Sequence, residues 1–245
     1  MRGLATALGF LTVLPVPSLA PREGDLGRAA YWFPFVGALI GLILAGVDWG
    51  ARRLWDPYVA AACVIAAGVL LTGGLHLDGL MDSADAFFSH RDRQGMLEVM
   101  RDSRAGALGV MAGSVVILAK FAAYGHLAGP AHWRIIALTP LVGRTGLVVG
   151  AALFPPARTC GLGAAFAREV RARHAVLCAV LSLGLGALLL TWKGAALVAL
   201  ALVLAALIGL YCSRRLGGLT GDVYGAINEI TEVVVLLAAS VSGWV

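Results

Sequence analysis

Charge is what this sequence has least of. Its 245 residues include 14 Asp and Glu and 19 Lys and Arg, so charged residues make up 13%. A soluble domain usually carries about 25% charged and about 45–50% apolar residues. Here the hydrophobic share is 60% and the mean hydropathy is +0.86. That leaves roughly half the charge needed to coat a globule, which excludes a soluble monomer. Disorder is excluded as well, because it needs low hydrophobicity and high net charge. The alternation of an outer-membrane barrel is missing; the apolar runs are continuous. Cysteine is also scarce. Cys63, Cys160, Cys178 and Cys212 show no C-x-x-C spacing, which argues against a zinc site or a disulfide framework and for small packing residues. No internal repeat and no low-complexity tract is visible. What remains is an all-α, polytopic integral membrane bundle, with residues 1–245 forming one domain.

A bilayer core about 30 Å thick needs roughly 20 apolar residues per crossing helix. Residues 29–47 and 57–77 carry no Asp, Glu, Lys or Arg. Residues 174–192 and 194–213 are separated only by Lys193 and read as a helical hairpin. Residues 105–125 contain Lys120, and 132–154 contain Arg144. A last stretch, 224–245, opens with Glu229 and Glu232. This predicts about seven spans. Residues 3–20 are also uncharged, and Ser18-Leu19-Ala20 resembles a signal-peptidase site. Pro15, Pro17 and Pro21 crowd that site, so the segment reads as a retained interfacial or re-entrant piece.

The loops then divide the basic residues. Thirteen of the 19 fall on one side, among them Arg91, Arg93, Arg101, Arg104, Arg158, Arg214 and Arg215. Arg52, Arg53, Arg134 and Lys193 fall on the other. The bias makes the first side cytoplasmic in a bacterial inner membrane. The net charge of +5 therefore needs no nucleic acid to explain it. The long polar connections 78–104, 154–173 and 214–223 share that side, where function is expected.

Half of the acids occupy three short stretches beside spans. In Gly73-Gly74-Leu75-His76-Leu77-Asp78-Gly79 and the residues after it, Asp78, Asp82 and Asp85 are spaced i, i+4 and i+7. On a helix they share one face, where like charges repel. A hard cation such as Mg²⁺ would supply the counter-charge and takes carboxylate oxygens together with substrate phosphates. A solvated acidic face, or pairing with Arg91 and Arg93, is the plainer alternative. His76 is either a proton carrier or an interfacial polar residue.

The second stretch is Arg101-Asp102-Ser103-Arg104, followed by Gly106 and Gly109. Two arginines three apart can face one anion. Asp102 or Ser103 can cap the next helix, whose N-terminus favours phosphate; ordinary flanking charge explains the same residues. The third stretch runs from Gly217 through Gly221 and Asp222 to Glu229 and Glu232. Its glycines permit close backbone approach. Arg158 lies in a Pro-rich turn, Arg144 must face protein or water, and Lys120 reads as a snorkelling residue. Acids for a cation, arginines for phosphate and glycines for a close backbone suggest metal-dependent phosphoryl or pyrophosphoryl transfer at the cytoplasmic surface.

These stretches resemble the cobalamin synthase (adenosylcobinamide-GDP ribazoletransferase) family over nearly the whole chain. The most specific part is Gly73 to Gly79 with Asp82 and Asp85. Arg101 to Arg104, Arg158 to Gly163, and Gly218 to Asp222 with Glu229 and Glu232 follow in the same order. Met81 and Ala86 depart from the family pattern beside the aspartates without replacing one. The resemblance implies a Mg²⁺-dependent transferase joining adenosylcobinamide-GDP to α-ribazole, or its 5′-phosphate, with release of GMP. From their shared cytoplasmic placement, Asp78, Asp82 and Asp85 are expected as metal ligands, and Asp82, Asp85 and His76 as the catalytic set. Arg101, Asp102, Arg104, Arg158, Gly221, Asp222, Glu229 and Glu232 are expected as substrate and phosphate contacts. A homo-oligomer, or association with other cobalamin-assembly enzymes, is left open. A CDP-alcohol phosphotransferase or a prenyl-diphosphate transferase would also cluster aspartates, but with different motif spacing. A transporter would place its acids nearer the midplane of repeated halves.

Overall fold

The computed structural model describes residues 2–17, 20 and 22–241. Among them are eleven helices and no strand. In order they are α1 (Arg2–Leu11), α2 (Asp25–Ala30), α3 (Phe33–Ala51), α4 (Pro57–Thr72), α5 (Leu75–Phe88), α6 (Arg93–Val99), α7 (Ala107–His126), α8 (His132–Leu153), α9 (Leu162–Glu169), α10 (Ala172–Leu216) and α11 (Gly221–Ala239). Ser18 and Leu19 of the signal-like site, and the last four residues of the expected final span, lie outside the described residues.

By length and composition, α3, α7, α8 and α10 can each cross a bilayer, and a fifth crossing results if α4 and α5 count as one bent span. The expected count of about seven is not reached by that measure, for two physical reasons. α11 carries Asp222, Glu229 and Glu232, so its composition is too polar. The expected hairpin exists, but inside α10. The chain breaks at Leu190 and at Thr191, whose φ is 57°, two to three residues before the expected turn at Lys193. Gly186 and Gly194 then meet backbone to backbone. In an unbroken helix they would be about 12 Å apart.

Small residues set the closest approaches. A Cβ on Gly37 of α3 would stand 2.6 Å from the Pro140 carbonyl oxygen of α8, and one on Gly41 would strike the Ala137 carbonyl. Where hydrophobicity cannot drive helices together, such backbone contact lets dispersion do so. α8 is the central helix and is almost wholly buried. At the end of the bundle opposite α5, buried Asp48 bonds Arg52 and His132, at 2.8 Å each. Arg52 also donates to the Tyr124 carbonyl at 3.0 Å, tying α3 to α7 and α8.

Positive-φ glycines turn the chain at the other end. Gly73 and Gly74 have φ of 63° and 71°, and the chain bends by 90° from α4 into α5. α5 is 14 residues long, about 21 Å, which is too short to cross. It packs against α11 and runs antiparallel beside the first half of α7, with Asp85 at Gly106 and Gly109 and Met81 at Gly109 and Gly113.

Candidate active site

Three elements meet at the bent corner. Gly79 of α5 sits on the backbone of Asp222 at the start of α11; a Cβ there would be 2.8 Å from the Asp222 carbonyl. One turn on, Gly225 sits equally close to the His76 carbonyl. The two helices therefore cross with no side chain between them. A backbone clasp brings in the third element. Ala157 donates to the Leu219 carbonyl and Leu219 to the Pro155 carbonyl, both at 2.8 Å. Gly218 has no room for a Cβ against Pro155. The clasp carries Arg158 to Asp222, with Nη1 3.5 Å from Oδ2. Gly221, expected at a phosphate, sits within 2.7 Å of a Cβ built on Gly163, where it joins α9 to α11.

The aspartates of α5 do share a helix, and Asp82 feels Asp78, Asp222 and Asp85 at once. Its carboxyl is pushed up to about 6, first by burial and then by those three charges in that order; Arg158 opposes them. Repulsion among carboxylates in a partly desolvated place works in this direction. Asp85 is placed differently from its neighbours. Its two oxygens accept from the Gly106 N–H at 2.7 Å and the Gly109 N–H at 2.8 Å. It caps α7 from outside, in the place expected for Asp102 or Ser103 or for a phosphate. Gly106 and Gly109 are needed there, since a Cβ on either would collide with the carboxylate.

Two buried atoms beside the cluster have no hydrogen-bond partner: Asp222 Oδ2 and Arg158 Nε. Arg158 is anchored through Nη2 to the Leu97 carbonyl of α6 at 3.1 Å, so its unpaired N–H is held in place. Among the described residues, no three His, Cys, Asp or Glu side chains are arranged to hold a metal ion by themselves. Mg²⁺ usually asks for one or two carboxylates, with waters and phosphates completing the shell.

The remaining residues are not at this point. Glu229 and Glu232 lie two and three helical turns beyond Asp222, about 10–15 Å along α11. Lys120 donates to Glu229 at 2.8 Å and to Glu232 at 2.6 Å, and Arg144 pairs with the other oxygen of Glu232. Lys120 therefore does not snorkel; it is buried in a closed ion network. Arg144 faces protein, as expected of a charge within a span. Arg104 pairs with Asp102 at 2.6 Å, and its side chain is 87% exposed; this pairing holds the Asp102 carboxyl down at about 2. Arg101 lines a surface groove with α6 residues Arg93 to Glu98, apart from the aspartates. His76 is 4% exposed, with Nδ1 3.5 Å from Arg144 Nη2.

The cap role of Asp85 escaped the sequence reading, although two glycines three apart opposite an aspartate were its trace. The aromatic residues behind Asp78 and Asp222, namely Phe10, Phe33, Phe166 and Tyr224, left no trace, because they come from four distant segments.

Comparison with known proteins gives a consistent result. The sequence model of the cobalamin-5-phosphate synthase family matches residues 3–240. An adenosylcobinamide-GDP ribazoletransferase of Roseiflexus sp. (strain RS-1) is 44% identical over 242 residues, 98% of this chain and 89% of its own. The protein of that name from Brevibacillus brevis is 36% identical over 249 residues, the full length of both chains. The one from Herpetosiphon aurantiacus is 40% identical over 240 residues, 96% of this chain and 95% of its own. No solved structure matches the chain.

Proposed function

The chain belongs to the cobalamin-5-phosphate synthase family, and from that premise we propose that it joins adenosylcobinamide-GDP to α-ribazole, or its 5′-phosphate, and releases GMP. The site is assigned to the α5–α11 corner and to the cytoplasmic face of a bacterial inner membrane. The orientation follows from the basic loops on that side.

The observation that carries this reading is that Asp222 Oδ2 and Arg158 Nε are buried with no hydrogen-bond partner, their side chains meeting only in a 3.5 Å ion pair. Buried polar atoms are nearly always hydrogen-bonded, and exceptions call for a ligand or another cause. A donor and an acceptor left open next to three further carboxylates suit a phosphate together with its cation. Asp78, Asp82 and Asp222 would hold Mg²⁺, with substrate phosphate completing its shell. Asp85 would stay with α7. When bound, the ion offsets the charge that develops on the departing phosphate.

The chain's own residues have two tasks. Arg158 donates to a pyrophosphate oxygen and fixes the donor. The carboxylates receive the proton of a ribose ring hydroxyl, which is free in both α-ribazole and its 5′-phosphate, as its oxygen bonds to the phosphorus carried by cobinamide. The bond from that phosphorus to the bridging oxygen breaks, and GMP departs with the electron pair.

The test is reaction of detergent-purified protein with adenosylcobinamide-GDP and α-ribazole, with Mg²⁺ or with EDTA. Formation of adenosylcobalamin and GMP in equal amounts, abolished by EDTA, is the expected result. Product formation unaffected by EDTA would sink the metal assignment. No product from folded protein would sink the substrates.

A further inference from the structure

Behind the carboxylates lies a cavity of about 140 Å³, with Asp78 and Asp222 on its wall. Four aromatic rings stand in the rest of the wall, among leucines and glycines. Phe33 and Phe166 are stacked at 5.0 Å with planes 7° apart. Phe10 touches both, at 5.5 and 5.6 Å. Tyr224 meets Phe166 edge-on at 6.2 Å. An apolar cavity of about 150 Å³ is large enough to take up benzene. This one therefore accepts an aromatic ring, with the remainder of the molecule directed toward the aspartates.

Two polar side-chain atoms in that wall have no partner: His76 Nε2 and the Tyr224 hydroxyl. His76 is 4% exposed and Tyr224 5%. The tautomer of His76 follows from its neighbour. A guanidinium donates and cannot accept, so the Nδ1 that faces Arg144 carries the lone pair and Nε2 carries the hydrogen. Two residues that line the slot thus carry donors for which the protein supplies no partner. Leaving such donors buried and unpaired costs about 1–3 kcal/mol each, which a ligand with a ring-nitrogen acceptor would relieve at one of them.

We propose that this slot seats the heteroaromatic base of the ribazole substrate and delivers its ribose hydroxyl to Asp78 and Asp222. The inference rests on the reaction proposed above. A benzimidazole base joined to ribose has one free ring nitrogen, an acceptor, and otherwise an apolar flat surface. Its single lone pair takes one of the two donors, the Tyr224 hydroxyl, and its flat surface suits the rings. Guanine matches less well, because its amino and imino hydrogens would face phenyl rings. His76, with Nε2 protonated, does not take the proton. Tyr224 is a specificity-determining residue.

The experiment measures binding without turnover. Full-length protein in detergent is titrated with α-ribazole, with free 5,6-dimethylbenzimidazole and with GMP. Wild type and Tyr224→Phe are compared, since that change removes a hydroxyl with no protein partner. Phe166→Leu, which shortens the slot wall, is the second variant. Steady-state KM is measured for each substrate separately. The expected result is binding of both α-ribazole and the free base to wild type. Tyr224→Phe should then raise the α-ribazole Kd and its KM together by about 5- to 10-fold. Its KM for adenosylcobinamide-GDP and its kcat should stay within about 2-fold of wild type. Phe166→Leu should weaken the free base most. GMP competing for the same site, with its affinity falling in Tyr224→Phe while that of α-ribazole holds, would overturn the assignment in favour of guanine. Equal weakening of all ligands, or of none, would also overturn it. Failure of the reaction itself is seen separately: wild type then makes no adenosylcobalamin, whereas wild-type turnover with unmoved ribazole constants sinks only the slot.

Discussion

α11 carries acids into two different surroundings. Asp222, at its first turn, joins Asp78 and Asp82, with Arg158 as the nearest opposing charge. Glu229 and Glu232, deeper in the same helix, meet Lys120 and Arg144, so two carboxylates face two cations. The deep set balances its own charge, although Arg144 Nε and Asn228 Oδ1 in it lack hydrogen-bond partners; the outer set has more carboxylates than cations. A charge buried in lipid must be paired by the protein, or the helix would not stay there. A charge at the aqueous mouth can wait for a ligand. Proximity in sequence and a shared helix face are therefore poor guides to a shared role; the counter-charge decides.

The largest effect should come from removing charge where it lacks a partner. Asp82→Asn should lower turnover by about 100-fold or more, in the range for deleting a preorganised electrostatic group. The melting temperature in detergent should stay the same or rise, since repulsion with Asp78, Asp222 and Asp85 is relieved. The deep set should behave in the opposite way. Lys120→Met strands Glu229 and leaves Glu232 with Arg144 alone, and should cost about 3–5 kcal/mol of stability. Adding Glu229→Gln should recover part of that loss, as expected when a second change removes the charge that the first left unpaired. If Asp82→Asn unfolds the protein while Lys120→Met leaves it intact, the contrast between the two regions is wrong.

Asp85 sharpens the comparison, because it lies in the outer cluster yet has a structural partner. Gly109→Ala would push a Cβ into its carboxylate and to 2.7 Å from the Met81 carbonyl. A cost of about 1–3 kcal/mol is expected, as for overpacking, together with lower activity as α5 shifts. Ala at Gly46, where nothing lies within 4 Å, is the control and should leave the melting temperature unchanged or slightly raised, since Ala favours helix by about 1 kcal/mol.

Much of this was legible beforehand. Sparse charge and continuous apolar runs specify a helical membrane bundle. The i, i+4, i+7 aspartates specify a helix with one acidic face, and α5 has both. What sequence could not convey was pairing across the bundle. Lys120 and Glu232 are 112 residues apart, and nothing local in either distinguishes an ion pair from a snorkelling lysine or a ligand. The aromatic slot is hidden for the same reason. Phe10, Phe33, Phe166 and Tyr224 each read as ordinary apolar residues in their own segments. The break in α10 lies at Leu190 and Thr191, two to three residues before Lys193, the charge that marks the turn in the sequence.

The smallest effect tests the edge of the outer region. Arg104 is 87% exposed and its one carboxylate partner, Asp102, is 40% exposed. Exposed pairs contribute about 0–1 kcal/mol, because water screens them and ordering two side chains costs entropy. Arg104→Ala should therefore move the melting temperature by no more than about a degree or two, and the change should shrink further in high salt. Its effect on catalysis separates two roles. If Arg104 leaves Asp102 to bind pyrophosphate, KM for adenosylcobinamide-GDP should rise several-fold with kcat unchanged, the pattern of lost ground-state binding. Unchanged KM would confine the phosphate contact to Arg158, whose buried, anchored guanidinium gains more from a charged ligand than a solvated one does.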